Sequence, residues 1–269
     1  MFSLFACLDQ GHVPSNSLTR EYWSVGRLAP KWTAVFFAFA VTACASPPDP
    51  PATASSVDDI DVSELTVEPI FNASNALFEA WQLIPIRGSG SWSLHHTAST
   101  SERLTIRGVP DDSASAIMIS SSFDPLTCPI LEWRWMVEFA QPSADLTKRD
   151  GDDVAAAIMV LFGDPGTLLD PRPVPTLRYS WTGADHPIGS VIENPYHPDI
   201  VKNIVLQNAD AETNIWVTER RNLASDYEAA FGEPPSDYVW AIALFIDNDQ
   251  TGEEAAAQFA SAQVYCDGF

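Results

Sequence analysis

The sequence predicts an all-β fold, a jelly-roll-like antiparallel β-sandwich with one short helix near the C-terminal third. Three observations carry this. Residues 131–139 alternate strictly: Leu131, Trp133, Trp135, Val137 and Phe139 fall on one face, and Glu132, Arg134, Met136 and Glu138 on the other. That is a strand with one buried face. From about Leu65 onward, short apolar bursts recur between Gly, Pro, Asp and Asn, the spacing of many short strands joined by turns. One segment is punctuated as a helix at both ends. Asn222 caps it, Leu223, Tyr227 and Phe231 recur at four-residue spacing, and Gly232 with Pro234 and Pro235 ends it. This helix is expected to close one end of the sandwich.

The chain reads as three parts: residues 1–43, an over-long leader with a lipoprotein signal peptide; 44–64, a tether rich in Pro, Ser, Ala and Asp; and 65–269, a single sandwich domain. The apolar run at 32–41 is far shorter than the roughly 20 residues a membrane helix needs. Arg27 and Lys31 give it the basic flank of a signal peptide. Small residues Thr42 and Ala43 then precede Cys44, whose thiol resembles the acceptor of a bacterial lipobox. Lipidated there, the chain is anchored to a membrane. Each buried methylene contributes about 0.8 kcal/mol, so several acyl chains hold it on a leaflet. Neither Ala45 nor Ser46, which follow Cys44, is the Asp of inner-membrane retention, which makes the expected address the periplasmic side of the outer membrane. The polar tract at 10–17 does not suit a signal peptide, and a start at Val25 gives a compact leader. Prolines and small polar residues at 45–56 cannot form a core and make an extended spacer.

Of 14 basic and 36 acidic residues, the segment from Cys44 onward keeps 11 and 34, a net charge of −23. Such a field opposes phosphate backbones, and no basic patch overrides it, so nucleic acid is not an expected partner. Solubility in salt is the plain reason for the charge, and cation binding the sharper one. With Cys7 in the leader and Cys44 lipidated, Cys128 and Cys266 remain. An oxidising compartment favours a disulfide between them, and two buried thiols are the alternative.

Further strand runs lie at 103–107, 116–119, 154–162, 177–181, 200–206, 215–218, 238–246 and 262–265. The run at 154–162 has helical propensity, but its apolar residues continue through both faces. It reads as a buried central strand.

In order along the chain stand Trp133, Arg134 and Trp135; Asp152 and Asp153; Tyr179 and Trp181; Asn194 and Pro195; Glu219, Arg220 and Asn222; Asp226 and Tyr227; Phe231 and Gly232; and the hexapeptide from Asp247 to Gly252. This pattern resembles the bacterial "domain of unknown function 3047" family, from about residue 75 to the end. The resemblance implies a jelly-roll sandwich like those of carbohydrate-binding modules and assigns no activity.

Ligand-binding candidates are Arg134, Asp152, Asp153, Arg178, Glu219, Arg220 and Asn222, which can bond paired hydroxyls, with Tyr179, Trp181 or Trp216 stacking on sugar rings. Trp133 and Trp135 read as core, with an exposed sugar platform as the alternative. The hexapeptide begins like a calcium loop, so Asp247, Asp249, Thr251 and Glu253 are metal candidates. Position twelve of that template is Gln258 rather than Glu, which argues against an EF-hand; a turn braced by Asp side chains is the alternative to Ca²⁺. The histidines lack zinc spacing, and no nucleophile elbow, phosphate loop or dinucleotide fingerprint is present.

The expected function is noncatalytic binding of a saccharide or envelope component by a lipid-anchored module. A carbohydrate-active hydrolase or lyase using Arg134, Asp153, Glu219 and Arg220 is the alternative, and an envelope assembly protein a further one.

Overall fold

Period-two alternation and β-branched or aromatic residues form fifteen strands among the described residues of the computed structural model, which are 61–73, 78–88, 90–96, 104–167 and 170–267. The leader, Cys44 and the tether up to residue 60 lie outside them. In chain order the strands are β1 (Thr66–Asn72), β2 (Gln82–Arg87), β3 (Ser91–His96), β4 (Leu104–Val109), β5 (Ala114–Phe123), β6 (Ile130–Phe139), β7 (Ala156–Phe162) and β8 (Gly166–Thr167). They continue as β9 (Asp170–Pro171), β10 (Thr176–Trp181), β11 (Val191–Glu193), β12 (Val201–Gln207), β13 (Val217–Asn222), helix α1 (Leu223–Phe231), β14 (Val239–Asp247) and β15 (Ala256–Cys266). No helix among them is long and apolar enough to cross a membrane.

Two sheets make the sandwich. One runs β13-β6-β15-β4-β3, with β1 also on β15; the other runs β11-β12-β10-β7-β14-β5-β2. A bulge between Phe259 and Ser261 divides β15, whose first half pairs with β4 and second half with β1, while β6 lies along its other side. The sheets are antiparallel with one correction. β10 and β12 pair in parallel, because residues 182–200 carry the chain back and enter β12 through the antiparallel β11.

Between the sheets, Leu131, Trp133, Trp135 and Val137 of β6 meet Tyr179 and Trp181 of β10 and Ile158 and Val160 of β7. Ring centroids lie 5.1 Å apart for Trp133 and Tyr179 and 5.7 Å for Trp135 and Trp181, within the range of favourable aromatic pairs. Two residues of β6 depart from the alternation. Phe139 is 45% exposed because the strand runs past the edge of the core, and Met136, on the polar face, is buried. As expected, the run at 154–162 is a central strand, buried throughout β7. The run at 215–218 begins as strand only at Val217, and Ile215 is exposed.

The face of the seven-stranded sheet turned away from this core is also apolar. Ala116 and Met118, Ala157 and Met159, and Ala243 and Phe245 pack there against Leu146 and Val154 of the β6–β7 connection. Two buried polar side chains, Arg178 of β10 and Asn203 of β12, share that face by strand parity and register. Helix α1 is capped as its sequence requires: Asn222 accepts from Ser225 N, and Gly232 has φ +82°, a conformation that glycine adopts without strain. Tyr227 docks the helix edge-on to Phe162 at 4.7 Å. Cys128 and Cys266 form a disulfide closing 138 residues of sequence.

Candidate functional site

Strand parity separates the residues that the sequence grouped. In β6, Trp133 and Trp135 point into the core, so Arg134 points out of the six-stranded sheet, where its guanidinium lies 5.7 Å from the Trp216 ring centroid. Arg220 shares that outer face, bonded to Glu132 and 5.6 Å over the Tyr265 ring. Glu219 accepts from Trp135 Nε1 and Gln207 Nε2, and Asn222 is occupied in capping α1. Tyr179 and Trp181 are corrected from sugar platforms to core, being 0% and 1% exposed. No ring face is free to stack on either. The set Arg134, Asp153, Glu219 and Arg220 is therefore not assembled. Asp153 lies on the side of the other sheet, with Asp247.

What does converge is Asp152, Asp153 and Arg178, with residues the sequence did not single out. Arg178 Nη2 donates to Asp152 Oδ1 and Arg178 Nε to Asn203 Oδ1, while Asn194 Nδ2 donates to Asp152 Oδ2 at 2.5 Å. The Arg178 guanidinium lies 5.6 Å over the Phe245 ring. Burial pushes the Asp152 carboxyl above its usual range, and Arg178 and Asn194 act against that shift. Such a buried pair holds only because its hydrogen bonds are nearly all met.

Asn194 also organises the surface above the network. Its Oδ1 accepts from the backbone N–H groups of Tyr196 and His197, each at 3.0 Å. The phenol of Tyr196 donates to Arg149 O at 2.5 Å, Arg149 Nε donates to Pro195 O at 3.0 Å, and the guanidinium lies 5.3 Å from the ring centroid. Tyr196 is 42% exposed. Burial, reinforced by Arg149, lowers the His197 pKa. Tyr196, partly exposed at the surface, is thus linked through Asn194 to a buried guanidinium, carboxylate and amide network.

Beside it, Asp153, Asp247 and Asp249 place one carboxylate oxygen each within 4.8 Å of one another, a group that can hold a metal ion. Asp153 is the member that the calcium-loop template did not include. Its carboxylate accepts from Gln250 N and Thr251 N, so the turn amides are braced from the β6–β7 connection rather than by the hexapeptide's own Asp residues. Asp247 Oδ1 accepts from Val154 N at 2.6 Å, and Asp249 Oδ2 from Arg87 Nη1 at 3.0 Å. Thr251 and Glu253 stand outside the triad. The Thr251 hydroxyl accepts from Glu253 N, and Glu253 Oε2 from Ser143 N. Burial pushes Asp247 well above the carboxylate range and Asp249 upward, with Arg87 opposing the latter. Gln258 lies in β15, bonded to Thr105 and Glu138, and is no ligand of this turn.

The model of the family described as "Protein of unknown function (DUF3047)" matches residues 79–263. The chain belongs to that family. The match spans Arg87, the Asp152 network, Tyr196 and the Asp triad, so the whole site lies within the DUF3047 region. No curated protein sequence matches the chain. Among solved structures, the chain is similar to a family 11 carbohydrate-binding module from Clostridium thermocellum in complex with a β-1,3-1,4-mixed-linked tetrasaccharide, at 8% identity and TM-score 0.40, covering 74% of this chain and 94% of that one. It is also similar to the CBM22-1 xylan-binding domain from Paenibacillus barcinonensis Xyn10C (8%, TM-score 0.35, 76% and 95% covered) and to the Emp47p carbohydrate recognition domain (13%, TM-score 0.37, 78% and 100% covered). These likenesses are too loose to match one residue with another.

Proposed function

We propose that this DUF3047 domain is a noncatalytic module that binds a saccharide of the cell envelope, exported and held by acylated Cys44 on the periplasmic side of the outer membrane. The observation that carries the binding site is Tyr196, fixed at the surface and linked through Asn194 to the buried network of Asp152, Arg178 and Asn203. A sugar offers an apolar C–H face and a fringe of hydroxyls. The exposed ring of Tyr196 serves the first, its turn held from beneath by Asn194 of the buried network. The apolar leader, Cys44 and the Pro-rich spacer support the anchored location.

The test is glycan-array screening of the purified chain, followed by titration of each hit against Tyr196→Ala. Loss of a stacking ring weakens affinity about tenfold, worth roughly 1.4 kcal/mol. Tyr196→Phe keeps the ring and most of the affinity. Absence of any glycan hit, or hits indifferent to Tyr196→Ala, would sink the proposal. For the anchor, Cys44→Ala is expected to move the protein from the membrane fraction to the soluble periplasm.

A further inference from the structure

We infer that Asp153, Asp247 and Asp249 hold one calcium ion, which ties the β6–β7 connection to the turn after β14. The inference goes beyond the saccharide reading and stands without it. Three carboxylates from two chain segments converge within 4.8 Å. The guanidinium bonded to them is that of Arg87, on Asp249, and its side chain is 62% exposed. Arg178 is committed to Asp152. Asp153 and Asp247 are therefore without a bonded cation in a site screened from water, where like charges repel most strongly.

A second observation points to a ligand rather than to mutual bracing. The Asp249 side chain is 5% exposed, yet its Oδ1 meets no donor while Oδ2 takes both Arg87 and Gln250 Nε2. Gln141 is wholly buried and donates Nε2 to Asp247 O at 2.5 Å, and its Oε1 on the same amide also meets no donor. Gly183 lets that residue sit where it does: a Cβ at 183 would lie 2.1 Å from Gln141 O. Buried acceptors are almost always satisfied, and a cation satisfies several oxygens together. The donor set is all oxygen and mostly anionic, without nitrogen or sulfur. That is the chemistry of a hard divalent ion, and carboxylates whose places are set by the fold favour calcium, with its flexible coordination, over magnesium, which demands near-ideal octahedral geometry and retains more of its water.

The experiment uses the full chain after chelator treatment, titrated with Ca²⁺, Mg²⁺ and Tb³⁺ separately by calorimetry and, for Tb³⁺, by sensitised luminescence. One equivalent of Ca²⁺ is expected, with Tm raised by about 5–10 °C at a hundredfold excess over Kd. Asp249→Asn, nearly isosteric, is expected to weaken binding at least a hundredfold. Glu253→Gln leaves it unchanged, because that carboxylate bonds Ser143 N outside the triad. Asp153→Asn is the poorer variant, since Asp153 also braces the turn. A cluster held together by a shared proton would show no stoichiometric uptake of any of the three ions and no Tm change, which overturns the inference. Binding of Mg²⁺ with no preference for Ca²⁺ overturns the identity of the ion, and Ca²⁺ binding that survives Asp249→Asn overturns the site.

Discussion

Arg221 shows how one position along a strand changes a residue's work. Glu219, Arg220 and Asn222 stand out in the sequence as polar neighbours, but β13 alternates: Arg220 takes the outer face, while Glu219 and Arg221 share the inner one, Glu219 against Trp135 and Arg221 against Asp226. Its Nε donates to Asp226 Oδ2 at 2.8 Å and its Nη2 to Oδ1 at 2.5 Å, while the Tyr179 phenol donates to Oδ2 at 2.8 Å. Burial raises the Tyr179 pKa well above normal, so the phenol keeps its proton and serves as a donor. Asp226→Ala leaves a guanidinium buried without its counter-charge, and removing one partner of a buried pair costs about 3–5 kcal/mol. Tyr179→Phe removes one hydrogen bond to a charged group, about 1.5–3 kcal/mol, and leaves the ion pair intact. Denaturant unfolding of the two variants should rank them in that order. Equal losses, or a loss below about 1 kcal/mol for Asp226→Ala, would mean that the pair is not the element joining α1 to the sheets.

At the scale of elements, what was legible is what neighbouring residues determine. The alternation of β6, the unbroken apolar run of β7 and the capped α1 are local patterns, and all three formed where their residues required. β1, β2 and β3 were not legible. Pro69 and Pro85 interrupt the first two, and these strands lie at or near sheet edges, where one side needs no partner and the pattern weakens. The first half of β15, Ala256 to Ala260, is poor in β-branched residues and is held as strand by β6 and β4. Parity was legible in residues 177–181, but not which face met water. Both faces of β10 are buried, so Tyr179 and Trp181 became core and Arg178 a buried network residue. The candidate site was legible only in part for the same reason. Asp152 and Arg178 are separated by 26 residues and Asp153 and Thr251 by 98, and no local pattern records such meetings. Tyr196 left one signal, its place directly after Asn194 and Pro195, a turn that an Asx side chain can brace.

At the scale of the whole molecule, the Cys128–Cys266 bond encloses the chain from just before β6 to the end of β15. The two ends it joins are already neighbours in the folded sheet, because Tyr265 pairs with Ile130 in register. The bond therefore does little to place them. Its effect falls on the unfolded chain, whose loop of 138 residues loses conformational freedom worth on the order of 3–5 kcal/mol. The effect of removing it can be separated from damage to packing by the denaturant slope. A double Cys128→Ala, Cys266→Ala variant is expected to keep its far-UV signature and its aromatic near-UV signal, unfold at a lower midpoint, and show a larger m, since an unlinked denatured chain exposes more surface. The same shift should follow when the wild-type chain is reduced, and it should be absent when the variant is reduced. A variant that unfolds at the wild-type midpoint with an unchanged m would mean that register alone holds these ends together, and that oxidation adds nothing to the stability of the sandwich.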